Sequence, residues 1–119
     1  MSHTKWIEHK GKRILYVDYR GLKTAEELIQ TLDESIRQEV DSPTKVLVLA
    51  NVEGSSGSSE YMERVKQAGK ENAQKVQKTA LVGTTGVKVI LLSAYLRFTG
   101  DKSTRSFDTE AEALDWLVE

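Results

Sequence analysis

An unbroken apolar run, VLVLA at residues 46–50, constrains the fold more than any other part of the chain. A strand with one face in water alternates apolar and polar residues, whereas a strand covered on both faces does not. A small polar segment rich in serine and glycine follows at residues 53–59, and a helical pattern begins at Glu60. We therefore predict a central buried strand, a serine–glycine loop and a helix N-terminus, in that order.

Upstream of this strand, the pattern predicts a hairpin and one helix. Residues 5–9 and 13–19 are two apolar runs separated by a glycine turn, which favours a pair of antiparallel strands. Thr24 stands three residues before Glu27, the spacing of a capping box at a helix start. The predicted buried stripe of this helix consists of the apolar residues at helical spacing, Ala25, Leu28, Ile29, Leu32, Ile36 and Val40.

Downstream of the serine–glycine segment, helix and strand patterns continue to alternate. A second helix is predicted from about Ser59 to Val76, and its buried stripe is Met62, Val65, Ala68 or Gly69, Ala73 and Val76. The remaining elements are a strand at residues 78–83, a helix at 87–98 closed by Gly100, an edge strand at 103–107, and a helix at 110–118 capped by Asp108 or Thr109.

This order predicts an α/β fold, β-β-α-β-α-β-α-β-α. Strands that alternate with helices form a mostly parallel sheet with right-handed crossovers, and the opening hairpin supplies one antiparallel edge. We expect a five-stranded sheet with four helices. The length of 119 residues is typical of one domain, so residues 1–119 are expected to form a single unit.

Composition argues against several classes of partner. The 17 basic and 18 acidic residues give a net charge of -1 and are interleaved, which does not favour nucleic acid. No apolar run approaches the ~20 residues that cross a bilayer, so no membrane span is expected. The first residues lack the apolar core of a signal peptide, and the chain has no cysteine. A cytoplasmic location is the simplest expectation.

The sequence also lacks the arrangements of residues that enzyme chemistry usually requires. Both histidines, His3 and His9, lie near the N-terminus, and no serine has an evident histidine–carboxylate relay. No spacing of histidine, aspartate and glutamate suggests a metal centre. We therefore expect a non-enzymatic protein with no cofactor and no metal ion.

The order of elements, with a serine–glycine turn after the third strand, resembles the SpoIIAA-like family, which includes the anti-sigma-factor antagonist (STAS) domains and is related in structure to the lipid-carrying CRAL-TRIO domains. The likeness covers nearly the whole chain as a pattern and is strongest in the C-terminal half, where it resembles the uncharacterised bacterial branch of the family. The segments that carry it are Gly54-Ser55-Ser56-Gly57, KTALVG at residues 78–83, TGVK at 85–88, FTG at 98–100, FDTE at 107–110 and ALDWL at 113–117.

The resemblance implies a regulatory role for the serine–glycine segment. In STAS antagonists a serine in this turn is phosphorylated, and Ser55 stands at the corresponding place, although Gly54 replaces the aspartate that precedes it there. The candidate phosphorylation or anion loop is Ser55, Ser56, Ser58 and Ser59. The alternative from the residues themselves is that Ser58 or Ser59 only caps the following helix.

A second loop of small residues ends the next strand and precedes a helix. Thr84, Thr85, Gly86 and Lys88 could flank the serine loop and help to bind a small anionic or polar ligand. The spacing of a P-loop is missing. The sequence therefore predicts that this loop lies beside the first one, and it leaves open whether the two loops bind such a ligand.

The helix at residues 87–98 is apolar nearly all round, more than one sheet can cover. Its apolar residues could be buried by the last helix, with Trp116 and Leu117 over it. They could instead form a homodimer seam or a partner surface, or line a cavity for a small apolar, lipid-like ligand. The residues assigned to such a partner or pocket surface are Ile90, Leu91, Ala94, Tyr95 and Phe98. A regulatory module that contacts a protein partner near the serine loop ranks first, and a carrier or sensor of an apolar ligand ranks second.

Overall fold

The computed structural model describes residues 2–119, apart from the side chain of Ala73. The predicted fold class and order of elements are confirmed. The described residues form β1 (Thr4–His9), β2 (Lys12–Asp18), α1 (Ala25–Asp41), β3 (Val46–Asn51), α2 (Ser59–Asn72), β4 (Val76–Val82), α3 (Val87–Thr99), β5 (Thr104–Phe107) and α4 (Glu110–Leu117), with a short 3-10 helix at Ala73–Lys75.

The five strands form one sheet in the order β1-β2-β3-β4-β5. β1 pairs with β2 in antiparallel register, and the other neighbours are parallel. β3 is the middle strand, and all six of its residues are buried. The prediction of a central strand covered on both faces, with a hairpin at one edge, is therefore confirmed.

The two faces of the sheet carry different helices. Ile14, Leu47 and Leu49 point to one face, where they pack against Ala113 and Leu117 of α4. The neighbouring residues along each strand point to the other face, because side chains alternate along a strand. That second face, which we call the three-helix face, carries Leu15, Val17, Val46, Val48 and Ala50 and is covered by α1, α2 and α3.

The position of α4 corrects one of the predicted arrangements for α3. Trp116 and Leu117 do not lie over α3, because α4 packs on the opposite face of the sheet. Leu117 is buried against that face, and the Trp116 ring lies 5.4 Å from the ring of Phe107. α3 itself is a helix, as predicted, and it ends where Gly100 adopts a left-handed conformation with φ of 68°.

The predicted end of α2 was wrong. The helix stops at Asn72, and Val76 is the first residue of β4, where it pairs with Val46 of β3. The backbone of Val76 joins the sheet ladder and cannot also continue a helix. β4 accordingly starts two residues before its predicted position at residue 78. The predicted burial of Ala73 falls outside the described side chains.

The buried stripe of α1 also differs from the prediction. Val40, expected at the end of the stripe, is 50% exposed, whereas Leu28, Thr31, Ser35 and Glu39 are buried. These four are spaced by three or four residues and so share one side of the helix. Thr31 and Ser35 donate hydrogen bonds to carbonyl oxygens one turn back, at 2.9 and 2.8 Å, which satisfies their buried hydroxyl groups. Glu39 cannot be satisfied in this way.

Candidate functional site

The serine loop, residues 53–59, follows the carboxyl end of β3, the middle strand of the sheet. Ser58 is the N-cap of α2, because its Oγ accepts a hydrogen bond from the backbone N–H of Tyr61 at 3.1 Å. Ser55 Oγ donates to the carbonyl oxygen of Val52 at 2.7 Å. Ser59 is exposed, and Ser56 is half-buried. The capping alternative thus applies to Ser58.

The second loop lies against the first, as predicted. A Cβ atom placed on Gly83 would come within 2.6 Å of the backbone nitrogen of Glu53, and the φ angle of Gly83 is +88°. Only glycine permits both this conformation and this close approach. Thr84 is half-buried beside the cavity described below, whereas Thr85 and Gly86 are exposed at the start of α3.

The serine loop is also in contact with α3. A Cβ atom on Gly57 would lie 2.7 Å from Cγ1 of Val87 and 3.1 Å from Cδ1 of Leu91, both in α3. The absence of a side chain at this position lets the helix approach the loop. The predicted adjacency of loop and apolar helix is therefore present in the fold.

Two lysines donate hydrogen bonds to backbone carbonyl oxygens in the serine loop and just before it. Lys88 Nζ donates to the carbonyl oxygen of Val52 at 2.7 Å, and Lys23 Nζ donates to that of Gly54 at 2.6 Å. Burial lowers the pKa of Lys88, and the nearby charge of Lys23 lowers it further. Lys88, predicted as an anion-binding residue, thus has one of its donors engaged by the loop.

A cavity of about 620 Å³ lies between the three-helix face of the sheet and α1, α2 and α3. Ser55, Ser56, Ser58, Thr84 and Lys88 lie along its wall, so the cavity reaches both loops. Most of the other lining residues are apolar. They include Val17, Val48, Ala50 and Leu81 from the sheet and Leu28, Leu32, Ile36, Val65, Leu91, Leu92 and Tyr95 from the helices.

The cavity accounts for the unusual exposure of α3. None of the residues of α3, Val87–Thr99, is buried. Leu91, Leu92 and Tyr95 line the cavity and are half-buried. On the outer side, Ile90 and Phe98 are 68% and 72% exposed. The apolar face that points inward therefore meets a hollow instead of a packed core.

The residues predicted for the apolar surface divide between two sides of α3. Leu91, Tyr95 and Phe98 line the cavity, although Phe98 is at its rim, where Lys66 Nζ lies 4.2 Å from the centre of its ring. Ile90 and Ala94 are exposed and do not line it. One helix thus contributes both to a cavity wall and to an exposed apolar surface.

Sequence reasoning missed Glu39, the buried carboxyl group of the cavity. The residue is 7% exposed and belongs to the cavity wall. Burial raises the pKa of Glu39 from 4.5 to about 7, and the Ser35 hydroxyl opposes this only in part. The spacing 28, 31, 35, 39 on one side of α1 could have indicated its burial, but the stripe was read from the apolar residues alone.

The histidines lie outside this site. His9 Nε2 is 2.9 Å from Oδ1 of Asp115, and the backbone N–H of His3 donates to Glu34. Within residues 2–119, no group of three or more histidine, aspartate or glutamate side chains is placed to hold a metal ion. No helix in this part of the chain is long and apolar enough to cross a membrane.

Comparison with known proteins places the fold. The model of the SpoIIAA-like family matches residues 14–118. The chain belongs to the SpoIIAA-like family. Among solved structures, this SpoIIAA-like chain is similar to an uncharacterized protein of the DUF3478 family with a SpoIIAA-like fold from Shewanella loihica PV-4. The two share 17% sequence identity with a TM-score of 0.70, over 96% of this chain and 91% of the other. A comparison with curated proteins finds no match.

Proposed function

We propose that this SpoIIAA-like chain is a non-catalytic binding module that takes up a small apolar, lipid-like molecule between α3 and the three-helix face. The cavity of about 620 Å³ with largely apolar walls carries the proposal. Sites for small molecules are typically clefts of about 300–1,000 Å³ lined by apolar side chains, with a few polar groups that orient the ligand. This support for a ligand reverses the order predicted from the sequence, which ranked protein contacts first.

The energetics of α3 favour a bound ligand. An apolar side chain that goes from exposed to fully buried contributes about 1.5–3 kcal/mol. Leu91, Leu92 and Tyr95 are only half-buried, so part of this free energy is still available to a molecule that fills the cavity. A ligand of this kind would stabilise the fold and α3 in particular.

A pair of size-increasing substitutions on α3 tests this function. Leu92→Trp places a large ring in the cavity, whereas Ile90→Trp adds the same ring on the exposed side of the same helix. We expect the natural chain and Ile90→Trp to bind a fluorescent fatty-chain probe, and Leu92→Trp to bind it about tenfold more weakly or not at all. Native mass spectrometry of the purified chain provides a second measurement. The proposal would be contradicted if the natural chain did not bind the probe, or if Leu92→Trp and Ile90→Trp lost probe binding equally.

A STAS-type role in protein contacts near the serine loop is the second candidate. It is supported by the exposed apolar residues Val87, Val89 and Ile90, which begin α3 beside the serine loop. A homodimer through this surface would be weakened by Ile90→Asp, which light scattering at increasing concentration can measure. Strictly monomeric natural protein would exclude the homodimer.

Phosphorylation of the serine loop would support the same regulatory role. Modification of Ser55 requires its hydroxyl to leave the Val52 carbonyl oxygen, whereas Ser59 is exposed. Mass spectrometry of the protein isolated from cells would locate a phosphate. Absence of modification at residues 55–59 would count against this regulation, and it would leave the ligand function unaffected.

A further inference from the structure

Glu39 places a single carboxyl group in an apolar part of the cavity wall. Ile36 and Leu32, about one and two turns away on α1, line the same wall. The Ser35 hydroxyl is close to Glu39, but it donates its proton to the carbonyl oxygen of Leu32 at 2.8 Å. Glu39 itself is only 7% exposed and lines the cavity, and the Ser35 hydroxyl is the side-chain group that favours its charged form. Burial of a carboxyl group is costly when few hydrogen bonds compensate it, and this one borders the space that a ligand would fill.

The protonation state of Glu39 depends on the water in the cavity. Burial already raises its pKa to about 7, so the carboxylic acid forms readily near neutral pH. An apolar molecule that displaces water from the cavity would raise this pKa further, because desolvation disfavours the charged form. The protonated group then has one O–H donor that requires an acceptor.

The charges around the cavity argue against a cationic ligand. Besides Glu39, the charged residues that line it are Lys66, Lys70, Lys88 and Asp101. These carry a net positive charge, which opposes the entry of an ammonium group. An uncharged oxygen is therefore the better match for Glu39.

We infer, resting on the apolar-ligand function proposed above, that the ligand carries an uncharged hydroxyl or carbonyl oxygen, and that protonated Glu39 donates a hydrogen bond to this oxygen. The ligand class is thus an apolar alcohol or carbonyl compound. Glu39 acts as the residue that selects and orients its polar group. The remainder of the molecule packs against the apolar wall.

Such recognition makes binding depend on pH. The tyrosines of the cavity, Tyr19, Tyr61 and Tyr95, have raised pKa values and stay neutral around neutral pH. The pKa of Asp101 is lowered by hydrogen bonds from Ser103 and Thr104 despite its burial, so it stays ionised. Of the groups lining the cavity, Glu39 therefore changes charge near pH 7.

Three probes of equal chain length separate the possibilities: n-octane, n-octanol and n-octylamine, each measured by displacement of a fluorescent fatty-chain probe. For the natural chain, we expect the affinity for n-octanol to fall roughly thirtyfold between about pH 6 and about pH 8.5, because only the protonated fraction of Glu39 binds it. Glu39→Gln should remove this pH dependence. The matched variant Glu26→Gln, on the exposed side of α1, should retain it.

Two further measurements test the role of Glu39 even if Glu39→Gln does not fold correctly. Glu39→Met, which removes the polar group, should bind n-octanol about tenfold more weakly and leave n-octane binding intact. In the natural chain, the carboxyl carbon of Glu39 observed by NMR should titrate at higher pH when n-octanol is bound.

The outcomes separate this inference from the function on which it rests. If none of the three probes binds, the apolar-ligand function fails and the role of Glu39 fails with it. If n-octane binds but the affinity for n-octanol does not change with pH, only the role of Glu39 is overturned. Tighter binding of n-octylamine as the pH rises would also overturn it, because the ionised carboxylate would then be the form that binds.

Discussion

The Glu39→Gln variant is expected to become more stable than the natural chain as the pH rises. Burial raises the pKa of Glu39 from 4.5 to about 7 in the folded protein, whereas the unfolded chain keeps the ordinary value. Below about pH 4.5 the group is protonated in both states and does not alter the free energy of unfolding. As the pH rises from 4.5 to about 7, the unfolded state releases its proton first, so the folded state loses stability.

The size of this effect follows from the two pKa values. A rise in the pKa of Glu39 from 4.5 to about 7 corresponds to about 3 kcal/mol of folding stability. This stability is fully lost above about pH 7.5. Glutamine has nearly the same shape and does not ionise. The free energies of unfolding of Glu39→Gln and the natural chain should therefore differ little at about pH 4.5, and they should differ by about 3 kcal/mol in favour of the variant at about pH 8.

Urea unfolding followed by circular dichroism measures this difference at each pH. Equal slopes with urea in both proteins would show that the same surface is exposed on unfolding. Glu26→Gln provides the control, because Glu26 is exposed on the same helix. The difference in free energy of unfolding between Glu26→Gln and the natural chain should be the same at the two pH values. A difference for Glu39→Gln that is the same at both pH values would refute the reasoning, since it would mean that Glu39 titrates normally.

Three other substitutions, with Gly100→Ala as a comparison for the first, test local contacts in the fold. Gly83→Ala should lower the free energy of unfolding by about 3 kcal/mol, because of its positive φ and its clash with Glu53, whereas Gly100→Ala, with positive φ in open space, should cost about 1 kcal/mol. Ser58→Ala removes the N-cap of α2 and should cost about 1 kcal/mol in chemical unfolding. The Glu110 carboxyl oxygen accepts hydrogen bonds from two buried donors, Tyr16 Oη at 2.6 Å and Asn51 Nδ2 at 2.7 Å. Glu110→Ala removes this acceptor and should cost about 2–4 kcal/mol by the same measurement. Costs below about 0.5 kcal/mol would contradict these assignments.

Local patterns in the sequence were sufficient for most of the fold. The apolar run at residues 46–50 predicted the middle strand, and the spacing of Thr24 and Glu27 predicted a capping box that is present in full. Gly100 predicted the end of α3. These features depend on hydrogen bonds and periodicity within a few residues, so they can be read without knowledge of distant parts of the chain.

The boundary between α2 and β4 could not be read in this way. The apolar spacing of residues 62–76 suits a helix throughout, and pairing of Val76 with Val46 ends the helical path near Asn72. A contact between residues thirty positions apart thus overrides the local pattern. The family resemblance was confirmed because it depends on the order of elements and not on such boundaries.

The sequence by itself determined the order of elements, the middle strand and the presence of an apolar helix next to a serine-rich loop. Only the tertiary structure decided that α4 covers the opposite face, that α3 borders a hollow, and that Glu39 faces it. The physical reason is that hydrophobic periodicity specifies which residues avoid water but not what covers them. The sequence pattern of an apolar residue is the same whether its side chain contacts a packed core, a partner or a cavity. Which of these surrounds it is decided only when distant elements pack together.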